Sequence, residues 1–139
     1  MGRRSRFITP QIKRLHLSDD DWIEVKLDLN TGDSKILERA GVQPPIMLNG
    51  RPFEPMDWTI YEMTKVHIYL LDWSFRDSDD KPVKVSLDAL KNLDPMDFAE
   101  ISKTVSKHIQ ERLMEKKALR DSTNSPNPKN NGSDQTLSS

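Results

Sequence analysis

The chain has 139 residues, 21 Lys plus Arg against 22 Asp plus Glu, and a formal charge of -1. Hydrophobic residues make up only 35% and mean hydropathy is -0.72, so either the core is small or part of the chain stays outside it. The absence of cysteine excludes disulfides, thiolate metal sites and cysteine nucleophiles. Five glycines leave no phosphate-cradling loop, and no apolar run is long enough to span a membrane.

The first residues, MGRRSRFITP, are basic but lack the apolar stretch of a signal peptide. Gly2 would suit myristoylation, but Arg6 stands where that pattern wants Ser or Thr. Charge is unevenly divided. Arg3, Arg4, Arg6, Lys13 and Arg14 meet no acid before residue 15, whereas residues 15–80 hold fourteen acids against six bases. This split fits a solvated arm and ordinary charged surfaces, with self-association, the arm of one copy on the acidic region of another, as the alternative. Residues 1–11 read as a basic arm, 12–120 as a single folded domain and 121–139 as a disordered tail. The tail, DSTNSPNPKNNGSDQTLSS, holds one large apolar side chain, Leu137, too little burial to offset its ordering entropy.

Ile12, Leu15 and Leu17 precede the turn Ser18-Asp19-Asp20-Asp21. Ile23, Val25, Leu27 and Leu29 then alternate with polar residues, a period that predicts a half-buried strand over 22–29 and a β-hairpin. Residues 34–40 fit a short helix stopped by Gly41. Four prolines in 42–55 predict a loop, in which Asn49-Gly50 can form a small turn. Residues 56–73 lack Pro and Gly and predict one helix with a wide apolar surface. Asp77 to Pro82 form a polar turn, and Ser86 caps a helix through Leu90. Asp94-Pro95 opens a last helix, whose Phe98, Ile101, Val105, Ile109 and Leu113 lie on one stripe. The fold class is α+β: an N-terminal hairpin, then a mainly helical body.

No constellation points to catalysis. His16, His67 and His108 lie on three different elements without metal-ligand spacing. A calcium loop starting at Asp77 would need an oxygen ligand and Gly where Lys81 and Pro82 stand. No Gly-x-Ser-x-Gly elbow is present. The chain reads as a non-enzyme with no cofactor and no metal. Trp22, Trp58, Tyr61 and Trp73, with the stripe Phe98, Ile101, Val105, Ile109 and Leu113, are the candidate partner-binding residues, and core packing is the alternative reading for Trp58, Trp73 and the stripe.

The segment Tyr69-Leu-Leu-Asp-Trp-Ser-Phe-Arg-Asp-Ser-Asp-Asp-Lys-Pro-Val83 resembles one in tail assembly chaperones of long-tailed, siphovirus-type bacteriophages. In those proteins a helix ends in an apolar-Asp-Trp-Ser step. A D-x-D-G-K-P-V turn, a short capped helix and a final amphipathic helix follow. The opening Ile12-Lys-Arg-Leu-His-Leu-Ser-Asp-Asp-Asp-Trp-Ile-Glu-Val25 is similar to their first hairpin. The likeness covers roughly residues 10–115, and 30–55 match nothing in it. Asp80 replaces the glycine of the turn, which implies a slightly different turn.

This resemblance implies a non-enzymatic assembly factor in the host bacterial cytoplasm, absent from the mature virion. It would bind the tape-measure protein, a long helical ruler, and help recruit tail-tube protein. Two other readings stand beside it: a small regulatory protein using the arginine arm on nucleic acid, and a structural head–tail joining protein. The acidic stretch from Asp19 to Asp80 disfavours nucleic acid.

Overall fold

The computed structural model describes residues 6–124, and the fold is α+β. The chain divides after Ser106 into two compact units. The first contains β1 (Ile12–His16), β2 (Trp22–Lys26), α1 (Thr31–Arg39), β3 (Ile46–Leu48), β4 (Arg51–Phe53), α2 (Trp58–Tyr69), β5 (Leu70–Trp73), α3 (Leu87–Lys91) and the start of α4 (Pro95–Asn124). The second, as described, is the remainder of α4 from Lys107. The division thus falls inside the stretch that reads in sequence as one domain.

β1, β2 and β5 form an antiparallel sheet in that order, with β2 central. The period-two pattern is realised in β2. Ile23 and Val25 are fully buried, while Trp22, Glu24 and Lys26 are half-exposed. One sheet face therefore joins the core and the other stays open. The strand stops at Lys26 rather than Leu29, because Asn30 caps α1 by accepting the Asp33 N–H at 2.8 Å. That cap also starts α1 at Thr31, earlier than the spacing of 34–40 implies. Gly41 at φ +79 follows the helix, and a Cβ there would collide with the Asp57 carbonyl oxygen.

Residues 56–73 do not form one helix. Asp57 caps α2 by accepting the Thr59 and Ile60 N–H groups at 3.0 and 3.1 Å. The helix ends at Tyr69, and Leu70 passes directly into β5. Pairing with β2 wins over local helical preference because it places Leu70 and Trp73 beside Ile23 and Val25 in the core. Trp73 Nε1 donates to the Val83 carbonyl at 2.6 Å, which satisfies its one polar atom. The loop read for 42–55 contains the β3–β4 hairpin. Asn49 (φ 52) and Gly50 (φ 77) take the two left-handed positions that a tight hairpin turn requires.

The caps of the later helices fall where the sequence puts them. Ser86 Oγ accepts the Ala89 N–H at 3.0 Å, and Asp94 Oδ1 accepts the Met96 N–H at 2.8 Å. α4 continues through Asn124, four residues into the segment read as tail. Residues 125–139 of that predicted tail lie outside the described residues.

Ile101 and Val105 complete the core with Val66, Tyr69 and Leu90. A polar network joins α2 to α4: Lys65 Nζ lies 2.8 Å from Glu62 Oε1 and donates to Ser106 Oγ at 2.7 Å. Ser102 Oγ donates to the same Glu62 oxygen at 2.6 Å. Burial pushes the Glu62 carboxyl up, but its bonds to Lys65 and Ser102 outweigh this and hold it below its ordinary value of 4.5. A depressed folded-state value means stability present above the unfolded value and lost as pH falls through the folded one. The stability advantage of the parent over Glu62→Gln should therefore be full near neutrality and shrink once pH drops below about 4.5. Urea denaturation at several pH values checks this, and an advantage independent of pH would refute it.

Candidate partner-binding surface

Trp22 lies on the open face of the sheet, half-buried. Arg14 from the neighbouring strand stacks over its indole, 3.7 Å from the ring centroid. The same guanidinium reaches Glu24 Oε2 at 3.1 and 2.8 Å, so this face is a self-satisfied polar ladder. Trp58 is 64% exposed in the first turn of α2. Its ring meets Tyr61 edge-on at 5.6 Å, leaving the outer indole face to solvent.

Three of the candidate residues have no surface to offer. Trp73 is 5% exposed, and Ile101 and Val105 are fully buried. They fill the core of the first unit, because β5 turns Trp73 inward and the α4 stripe faces the same interior. Phe98 and Ile109 are half-buried, and Leu113 is exposed. The stripe is thus continuous in sequence but mixed in role: core at its middle, accessible at Leu113.

Several further exposed apolar side chains lie where the sequence placed no candidate other than Trp58. Ile46, Met47, Leu48 and Phe53 of the β3–β4 hairpin are each about half exposed or more, as are Ile36 on α1 and Trp58 and Ile60 on α2. The register sets Ile46 opposite Phe53 and Leu48 opposite Arg51, so one ribbon face carries Ile46, Leu48 and Phe53. Met47 and Pro52 share the other face. The hairpin base is tied down by a Val42–Met56 bridge, by the Gln43 N–H to the Pro55 carbonyl at 2.9 Å, and by the Asp57 N–H to the Gly41 carbonyl at 2.7 Å. Arg39 at the end of α1 reaches Glu54 at 3.4 Å. A two-stranded ribbon with apolar side chains on both faces is marginal alone in water. Clustered apolar exposure of this kind marks an interaction surface. The available signal was Asn49-Gly50 flanked by apolar residues, and the surrounding prolines masked it.

Comparison with family models, with curated proteins and with solved structures gave no match.

Among the described residues, no group of three or more His, Asp or Glu could hold a metal ion. The acidic turn at Asp77 has a structural use. Asp77 Oδ1 accepts the Asp79 and Lys81 N–H groups at 2.8 and 3.0 Å, and Arg76 donates to the Asp80 carbonyl at 2.8 Å. Asp80 has φ 60, the left-handed conformation that glycine favours and that Asp tolerates. No helix among the described residues is long and apolar enough to cross a membrane.

Proposed function

We propose that this protein is a non-enzymatic tail assembly chaperone of a long-tailed bacteriophage. It binds the tape-measure protein in the host cytoplasm and helps bring it to tail-tube subunits. The observation that carries the reading is the set of exposed apolar side chains on the first unit, Ile46, Met47, Leu48 and Phe53 with Trp58 and Ile60. A long helical ruler exposes apolar surface before the tube closes round it. A small factor that offers apolar side chains on a polar, charged body can cover that surface and keep the complex in solution. The likeness of residues 69–83 to such chaperones supports the same reading.

Coexpression with the longest helical tail protein of the same genome tests the proposal. The soluble yield of the ruler should rise severalfold. It should stay raised when Arg3, Arg4 and Arg6 are reversed in charge, because burial drives the contact. An unchanged yield would overturn the proposal. Salt-sensitive binding of DNA or RNA, lost on that charge reversal, would favour the nucleic-acid reading instead.

A further inference from the structure

The β3–β4 ribbon has two unequal edges. In β4, Arg51-Pro52-Phe53, a proline stands at the centre with a cation beside it, two devices that keep an edge strand from pairing with another chain. β3, Ile46-Met47-Leu48, has neither proline nor charge, and among the described residues its only strand neighbour is β4. Asn49 and Gly50 form a two-residue turn with positive φ at both positions. In such a hairpin the residues flanking the turn are a hydrogen-bonded pair and the next pair is not. That next pair is Met47 and Pro52, so the Met47 N–H and carbonyl point away from β4, along the open edge. Pro52 turns its missing donor to the opposite edge, where a strand tolerates proline.

We propose that two copies of this chain join through β3, antiparallel about a two-fold axis at Met47. Each Met47 donates its N–H to the carbonyl of the other, and Ile46 of one copy lies opposite Leu48 of the second. The edge is self-complementary: no like charges meet, and each cross-strand pair is apolar. Joining makes a four-stranded sheet out of two ribbons that are each marginal in water. Both outer edges of that sheet are β4, closed by Arg51 and Pro52, so association stops at the dimer instead of running on as a filament. Ile46, Leu48 and Phe53 of both copies then share one face. That this doubled face meets the ruler rests on the chaperone reading; the dimer itself does not.

Sedimentation velocity of the full-length protein tests the dimer without any ruler, so its outcome stands apart from the coexpression result. Over a dilution series the mass should rise with concentration from 16.1 kDa towards twice that value and level there. Met47 is 68% exposed and its N–H faces away from β4. Met47→Pro should therefore melt with the dilute parent yet stay monomeric at every concentration. Met47→Lys and Met47→Glu should each be monomeric too, because like charges would meet on the axis, and an equimolar mixture of the two should dimerise. If Met47→Pro does not fold, this charge-swapped pair decides the matter. A parent that stays at 16.1 kDa would leave β3 to a strand of another protein and overturn the proposal. A dimer that survives Met47→Pro, a mass that climbs past the dimer, or a charge-swapped mixture that stays monomeric also overturns it.

Discussion

Ile101→Asp is expected to leave no folded protein at 25 °C, whereas Ile109→Asp, two turns further along the same stripe, should fold. Ile101 is fully buried with Val66, Val105 and Leu90. Removing its side chain costs about 2–5 kcal/mol in transfer and cavity terms. The carboxylate adds the cost of an unpaired buried charge, or of protonating it at neutral pH. Against a total stability of about 5–15 kcal/mol for a small domain, that sum consumes most or all of it. Ile109 is only half-buried, so its aspartate can keep part of its hydration, and the loss should be several-fold smaller. Thermal melts of the two variants decide between these roles. Equal destabilisation would mean that the stripe acts as one uniform contact.

The contrast shows which parts of the fold could be read from the residues. The first hairpin, α3 and the start of α4 are specified locally: alternation in Ile23 and Val25, a serine cap at Ser86, Asp94-Pro95 at a helix start. β5 was not legible. Leu70 to Trp73 is a short apolar run with no period of its own, equally compatible with the last turn of a helix. Only the edge of β2, far away in sequence, makes it a strand. The same long-range packing buries Trp73, Ile101 and Val105, so an apolar stripe could be recognised without revealing whether core or partner covers it. β3 and β4 failed for the opposite reason. Pro44, Pro45, Pro52 and Pro55 carry strong loop signals, yet only Pro52 lies within a strand, and a proline is tolerated in an edge strand. Trp58 stays exposed on α2, so the core-packing alternative that its residue type also allows does not apply to it.

The hairpin is where partner binding and fold stability should separate most clearly. Leu48→Ser and Phe53→Ser strip the ribbon face they share with Ile46, and Trp58→Ser removes the exposed indole beside its base. All three side chains are already about half exposed or more, so the triple variant should melt close to the parent, as surface substitutions usually do. Binding should suffer far more. Each large apolar side chain that passes from water into a contact contributes about 1.5–3 kcal/mol, and a central Trp is a common hot spot. Together the three should weaken the proposed complex with the tape-measure protein by at least about 4 kcal/mol, roughly a thousandfold in Kd. Coexpression should then return the ruler to the insoluble fraction. Met47→Ser, on the opposite ribbon face from Phe53, reports which side the ruler uses: a small effect beside the triple variant assigns the contact to the Ile46–Leu48–Phe53 face. A triple variant that keeps the tape-measure protein as soluble as the parent does would remove the hairpin from the binding surface.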